Sequence, residues 1–338
     1  MKRQIILLIC FLVFTSCKKD DVICEFPPIE HVKIGGINQA ISIRGNDLSK
    51  PLLLILHGGP GYAMLPLFHM LLPELEDHFI VVNWDQRGAG RSYSGDIASS
   101  SMTLKQAIAD AKELTEVLKV RFGKEKIYLL GHSWGTILGV HLIKAFPKAY
   151  AAYIGVGQVV NVVKNEQNSY AFALEQAVNN SNRKAIKELE SIGAPNSAGE
   201  YRDDIGYGVT NKWMEFYGGS LYGKTSSDEV IDLVLSDEVY FDHIDQWSDG
   251  YDFSQFLFDD ANVWSFDFAK THLKLSVPVY IFMGHHDYDT PFILVEAYYG
   301  AIEAPEKQLV WFENSAHFPF YEEKEKFLSE LIRVSDNH

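Results

Sequence analysis

Ser133 lies between two glycines in the stretch YLLGHSWGTILG, residues 128–139. The apolar run KIYLL before it predicts a buried strand, and the residues after it have the apolar spacing of a helix. A G-x-S-x-G turn between a strand and a helix exposes the serine hydroxyl at the end of a sheet, where it can act as a nucleophile. Gly and Ser are common enough for these five letters to recur by chance, so the prediction depends on the flanking elements.

A nucleophilic serine needs a base, and the base needs a carboxylate to orient it. In this kind of site the chain order is Ser, then Asp or Glu, then His, with each residue in a loop that follows a strand. Asp287 follows the apolar run VYIFMG, and His317 follows the run LVWFE. We therefore predict Ser133, Asp287 and His317 as the catalytic residues. Asp289 lies in the same loop as Asp287 and is the rival candidate for the carboxylate.

Attack on a carbonyl group places negative charge on its oxygen, which two backbone N–H groups can stabilise. The N–H of Trp134, directly after the nucleophile, is one expected donor. The second is expected in the loop HGGPG, where we choose Gly59 and place Gly58 second. A glycine loop can also hold phosphate, but the Lys-Ser/Thr pair of a P-loop does not follow it here.

The loops that carry these residues require a sheet whose strands end at a common edge. Strand and helix patterns alternate over residues 31–157 and 276–338, which predicts a mostly parallel sheet covered by helices on both faces. Residues 158–275 interrupt this alternation and are aromatic-rich, acidic and mainly helical in pattern. We interpret them as a helical lid inserted into an α/β core.

The N-terminus predicts export. Lys2 and Arg3 precede a short apolar run, which is too short for a stable membrane-spanning helix and is typical of a signal peptide. Small residues then precede Cys17, as in bacterial lipoprotein signals, in which this cysteine carries the lipid. We predict a signal peptide over residues 1–16, a tether over residues 17–30, and a membrane-anchored protein facing the periplasm or the cell surface. A plain secretory signal is the alternative.

Composition and motifs argue against several other classes of protein. The formal net charge is −15 and no basic run is present, so nucleic-acid binding is not predicted. The histidines do not form H-E-x-x-H or an equivalent ligand set, so no metal is predicted. No G-x-G-x-x-G follows the first strand, so neither a dinucleotide nor any other cofactor is expected.

Five motifs occur in one order along the chain: HGGPG, WDQRGAGRS, GHSWGT, GHHD and AHFP. In this order they resemble the motifs of the proline iminopeptidases and their relatives, which are lidded α/β-hydrolases. The resemblance covers the chain beyond the tether. It implies Ser133 as nucleophile, Asp287 as the orienting carboxylate and His317 as base. It also implies that Asp85 and Arg87 brace a loop rather than take part in catalysis.

The resemblance implies a serine hydrolase that releases an N-terminal residue from short peptides through an acyl-enzyme. In that family lid carboxylates hold the free amine of the substrate. Residues 158–275 contain 20 Asp and Glu against 9 Lys and Arg, interleaved with aromatic residues, and Glu215 is our candidate for this contact. A solvated acidic surface is the other interpretation of this charge. An esterase or lactonase with the same triad, or a binding protein with a degenerate site, are the alternative functions.

Overall fold

A computed structural model describes residues 26–203 and 205–338. The predicted signal peptide and its lipidation residue Cys17 lie outside the described residues. Eight strands form one sheet in the order β1-β2-β4-β3-β5-β6-β7-β8. They are β1 Glu30–Ile34, β2 Ile37–Arg44, β3 Leu52–Leu56, β4 Ile80–Trp84, β5 Ile127–His132, β6 Tyr150–Val156, β7 Val279–Gly284 and β8 Lys307–Phe312.

The sheet is parallel from β4 through β8, whereas β1 and β2 form an antiparallel edge. Its central strands are apolar along their whole length because both faces are covered by helices. In β3, Leu54 faces one hydrophobic cluster and Leu53 faces the other, since successive side chains of a strand point to opposite sides. This confirms the predicted α/β-hydrolase architecture.

In the part of the chain that the structure describes, six helices flank the strands of the core. They are α1 Leu67–Leu71, α2 Leu104–Phe122, α3 Trp134–Ala145, α12 Phe292–Ala301, α13 Pro319–Glu322 and α14 Lys324–Asp336. Short 3-10 turns cover Pro73–Asp77, Gly90–Ser92, Ser99–Ser101, Pro147–Ala149 and Gln255–Asp259. Within the two described ranges, no helix has the length and apolar character needed to cross a membrane.

The segment between β6 and β7, which contains the predicted lid, forms helices over one end of the sheet and is called the cap from here on. Its helices are α4 Val162–Asn179, α5 Arg183–Ile192, α6 Gly206–Phe216, α7 Asp228–Leu235, α8 Glu238–Phe241, α9 Ile244–Ser254, α10 Ala261–Ser265 and α11 Phe268–Thr271. α4, α5 and α6 share a small apolar core that includes Ala173, Leu189 and Met214. The cap is tied to the core by side chains such as Trp247, whose indole N–H donates to the carbonyl of Ala63 at 2.9 Å.

Candidate active site

Ser133 occupies the turn between β5 and α3, where its backbone has φ 51° and ψ −119°. A positive φ is uncommon for a residue with a side chain and marks a strained turn. A side chain at Gly135, two residues later, would collide with the carbonyl oxygen of Leu56 on the neighbouring strand. The glycine therefore lets the turn pack against β3 while the serine faces the cap.

His317 and Asp287 form a buried pair at the ends of β8 and β7. The Nδ1 atom of His317 lies 2.8 Å from Oδ2 of Asp287. Asp287 also accepts hydrogen bonds from the backbone N–H and the hydroxyl of Thr290, at 2.7 and 2.8 Å. Burial alone would lower the pKa of His317, but the carboxylates of Asp287 and Asp289 more than offset this effect and raise it to about 9.

The backbone of His317 is held from two further directions. Its N–H donates to the carbonyl of Ser220 in the cap at 2.9 Å. Its own carbonyl accepts a hydrogen bond from Nε2 of His132 at 3.0 Å, and the two imidazole rings lie 4.7 Å apart. Burial lowers the pKa of His132 well below its usual value, so this ring is neutral. His132 therefore supports the loop of His317 rather than competing with it as a base.

Glu322 braces the same loop with its carboxylate. Its Oε2 accepts the backbone N–H groups of Ala316 and Phe318, at 2.9 and 3.2 Å, so it holds the residues on both sides of His317. Its Oε1 accepts the backbone N–H of Tyr222 in the cap at 2.6 Å. Burial raises the pKa of Glu322 to about 7.

The loop HGGPG passes close to the nucleophile. A side chain at Gly58 would lie 3.0 Å from Cβ of Ser133, so it would crowd the nucleophile. Gly58 and Gly59 both border the cavity in front of Ser133. Trp134 opens α3, where backbone N–H groups have no partner within the helix. Its indole N–H donates to Gln86 at 3.0 Å, which directs the side chain away from the turn.

A cavity of about 170 Å³ lies between the core and the cap. Ser133 and His317 form its floor, and Glu215, Tyr207 and Tyr251 contribute cap side chains. Among the described residues that line it there is neither a lysine nor an arginine. The cavity is therefore negatively charged when its carboxyl groups are ionised, which favours a cationic ligand.

Glu215 lies on the cap side of the cavity and is only weakly bonded. Its carboxylate accepts the hydroxyl and the N–H of Ser227 at 3.3 and 3.4 Å. Burial and the nearby charge of Asp289 raise the pKa of Glu215. Glu166 is buried nearby, where it accepts the hydroxyl of Tyr201 at 3.4 Å, and burial raises its pKa to about 7.

Asp289 faces the cavity beside the base. Its Oδ2 lies 3.9 Å from Nε2 of His317, on the opposite side of the ring from Asp287. Its side chain is 40% exposed, and it lines the cavity. The loss of surrounding water within the cavity raises the pKa of Asp289.

The fold brings most of the sequence-predicted site residues to one place. Ser133, His317, Gly59 and Glu215 border the cavity, and Asp287 lies directly behind the histidine. The N–H of Trp134 lies at the same turn as the serine.

His285 and the predicted loop-bracing residues Asp85 and Arg87 do not line the cavity. His285 is exposed and bonds Glu313 at 2.8 Å, so it is not placed to act as the base. The expected loop-bracing contacts are confirmed. The carboxylate of Asp85 accepts the hydroxyl of Tyr240 in the cap at 2.7 Å. The guanidinium of Arg87 donates to the buried carboxylate of Asp110 at 2.7 Å.

Sequence reasoning missed Glu166, Glu322 and the position of Asp289 at the base. No motif indicates them, because each acts through contacts with distant parts of the chain. The five-residue spacing between His317 and Glu322 was the nearest signal. Within residues 26–203 and 205–338, no group of three or more His, Cys, Asp or Glu side chains is arranged to hold a metal ion.

The fold and this site define an α/β-hydrolase, and comparison with known proteins agrees. The chain belongs to the alpha/beta hydrolase fold family, whose model matches residues 51–324. It is 34% identical over 314 residues to a Bacillus subtilis protein named "Probable aminopeptidase YbaC", covering 92% of this chain and 96% of that protein. It is 27% identical to a proline iminopeptidase of Saccharolobus solfataricus, covering 90% and 91% of the two chains.

A solved structure resembles the chain over nearly its whole length. The proline iminopeptidase of Mycobacterium smegmatis superposes with a TM-score of 0.67, covering 92% of this chain and 98% of that one. At 16% identity this likeness establishes the fold alone. The sequence relatives named above are what support a hydrolase of the aminopeptidase type.

Proposed function

We propose that the chain is a serine aminopeptidase of the proline iminopeptidase type, which releases an N-terminal residue from short peptides through an acyl-enzyme. The observation that carries this proposal is a single small cavity in which Ser133 and His317 face the carboxylate of Glu215. The relatives named aminopeptidase and proline iminopeptidase support the same reaction. No cofactor is required for it.

In the proposed mechanism the hydroxyl oxygen of Ser133 attacks the carbonyl of the first peptide bond. Nε2 of His317 accepts the hydroxyl proton, and Asp287 holds Nδ1–H and stabilises the imidazolium that forms. The N–H groups of Gly59 and Trp134 stabilise the oxyanion. His317 then gives the proton to the leaving amine. Water attacks the acyl-serine in the same way and releases the N-terminal residue.

Glu215 provides the proposed selection for a free amino terminus. An aminopeptidase substrate carries an ammonium group one carbon from the scissile carbonyl, so this charge must enter the cavity beside Ser133. Pairing of a carboxylate with the ammonium group forms a charge-assisted hydrogen bond. An N-acetylated substrate leaves Glu215 unpaired in a partly buried site, which penalises its binding. A solvated acidic surface would not make this distinction.

Comparison of prolyl and alanyl 4-nitroanilides with their N-acetyl forms tests this selection for a free amino terminus. The wild type is expected to prefer the free amines by at least about a hundredfold in kcat/KM, and Glu215→Gln should lose much of that preference. Ser133→Ala is the control for covalent catalysis and should abolish both turnover and labelling by a fluorophosphonate. Equal rates on both forms, or activity confined to aryl esters, would instead favour the esterase or lactonase alternative.

We further propose that the protein is a lipoprotein anchored through Cys17. The basic start, the short apolar run and the small residues before this cysteine support the assignment. A single acyl chain binds membranes only weakly and reversibly, so stable retention requires more than one chain. The anchor would hold the hydrolase at a membrane surface, where short peptides are its proposed substrates.

A further inference from the structure

Two carboxylates approach the imidazole of His317 from opposite sides. Asp287 lies 2.8 Å from Nδ1, as expected for an orienting carboxylate. Asp289 lies 3.9 Å from Nε2, the nitrogen that must accept the proton of Ser133. A negative charge at that position stabilises a proton on Nε2 and so opposes the function of the base.

The other groups around the ring do not cancel this charge. Glu322 adds a third carboxylate near the loop, and the neighbouring ring of His132, tilted against that of His317, is neutral. Across the cavity the cap contributes Glu215, and the described lining residues include no lysine or arginine. The raised pKa of His317, about 9, agrees with this arrangement. The two carboxylates at its two nitrogens therefore favour the imidazolium form of the base in the free enzyme.

We propose that Asp289 binds the α-ammonium group of the substrate and thereby frees Nε2 of His317 to act as the base. This inference rests on the proposed aminopeptidase function and adds a specificity-determining residue to it. In an aminoacyl group the nitrogen lies about 2.5 Å from the carbonyl carbon. Ser133, His317 and Asp289 line the same cavity, so a carbonyl positioned for attack by Ser133 brings the ammonium group into the space that Asp289 borders.

The charges and protons of this step balance. The ammonium group replaces the imidazolium as the counter-charge of Asp289, and the Nε2 proton leaves to water. One positive charge enters the site and one leaves it. Neutral Nε2 then accepts the proton of Ser133 as the bond between its oxygen and the carbonyl carbon forms. An N-acetylated peptide or a simple ester brings no positive charge, so Asp289 continues to favour the protonated base.

This role differs from that of Glu215. Glu215 lies in the cap and contributes to substrate binding, so removing its charge is expected mainly to raise KM. Asp289 acts on the base as well, so it affects kcat and the pH profile. It also has opposite effects on the two kinds of substrate, because removing its charge helps only a substrate that carries no ammonium group.

The test is Asp289→Asn, measured with prolyl 4-nitroanilide and with 4-nitrophenyl acetate. The acid limb of the pH profile of kcat/KM reports the pKa of the base in the free enzyme. For the acetate this limb should move down by about one pH unit, so that the rate at pH 7 rises about tenfold. For the prolyl anilide, kcat/KM at pH 7 should fall by at least about tenfold. Asp249→Asn removes one charge from the exposed face of the cap and is the matched control.

Equal losses on both substrates, with an unmoved acid limb, would overturn the inference and make Asp289 a structural residue. The wild type provides a check that needs no variant. With the prolyl anilide, the acid limb of kcat should lie below that of kcat/KM, because the bound ammonium group has already lowered the pKa of the base. Acid limbs of kcat and kcat/KM at the same pH would also overturn the inference. Failure of the aminopeptidase proposal is separate, since it would appear as no turnover of any free-amine anilide while the ester is still cleaved.

Discussion

Gly157 leaves the space in which His317 and Asp287 meet. It directly follows β6, with a backbone φ of +55°. A methyl group at this position would lie 2.8 Å from Cε1 and Nδ1 of His317 and 3.3 Å from Oδ2 of Asp287. The two contacts with His317 are too close, so the imidazole must move away from its carboxylate if a side chain is present.

Gly157→Ala is therefore expected to lower kcat by about a hundredfold or more, because a displacement of about 1 Å at a catalytic group has that order of effect. Steady-state kinetics on the preferred anilide measures it. Gly123→Ala is the matched control, since Gly123 has a similar φ of +61° but nothing within contact distance of an added methyl group. Its backbone strain should reduce stability without reducing kcat. Similar kinetic losses in both variants would contradict the steric explanation.

At the scale of elements, the cap is joined to both catalytic loops by residues 219–222, which we call the lid strap. The carbonyl of Gly219 accepts the N–H of Tyr288, and the carbonyl of Ser220 accepts the N–H of His317, both at 2.9 Å. The N–H of Tyr222 donates to Glu322, which also holds the loop of His317. The cap that closes the cavity therefore also holds the loop of the base.

Glu322→Gln is expected to lower kcat by about tenfold or more and to raise KM. A glutamine side chain has one acceptor oxygen, and its NH₂ group would face a backbone N–H and leave it unsatisfied. Glu323→Gln is the matched control, because the side chain of the adjacent Glu323 accepts the N–H of Asn314 and the hydroxyl of Ser315 instead of an N–H of the strap. Kinetics on both variants and the wild type provides the comparison.

The pH dependence separates this role from general loop stability. The pKa of Glu322 is raised to about 7, so the wild type loses an acceptor as pH falls through that value. Glu322→Gln should lack this step. Because Glu322 also raises the pKa of His317, the remaining acid limb should shift to lower pH in the variant. Equal losses in the two glutamine variants, with unchanged profiles, would argue against a lid strap that positions the base.

The whole molecule combines an acidic cap with a proposed membrane anchor. Residues 158–275 carry 20 acidic and 9 basic residues, a net −11 of the chain's −15. Such a surface is repelled by anionic lipid headgroups, so it would not itself bind the protein to a membrane. The proposed retention at a membrane is therefore assigned to the N-terminal anchor at Cys17.

Cys17→Ser is accordingly expected to move most of the protein from the membrane fraction into the soluble fraction, because the acylated residue is lost. Fractionation of expressing cells followed by immunoblotting measures this. Cys24→Ser makes the same change seven residues further along the chain and should leave the distribution unaltered. Unchanged retention of the Cys17 variant, or a mature N-terminus at another position, would indicate an ordinary signal peptide.

The sequence by itself determined the fold class and the elements around each candidate residue. Strand and helix periodicity, the G-x-S-x-G turn and the order of Ser133, Asp287 and His317 are local patterns, and local patterns suffice for an alternating α/β chain. They also place these residues at one edge of the sheet, because parallel strands end on the same side.

Only the tertiary structure decided how the carboxylates are arranged around the base. Asp287 and Asp289 are two residues apart, and sequence favoured one without locating the other against the opposite nitrogen of His317. Likewise, only folding brings Glu215 to the cavity and Glu322 to the cap. These contacts join segments up to a hundred residues apart, and their charges matter only once burial has removed the surrounding water.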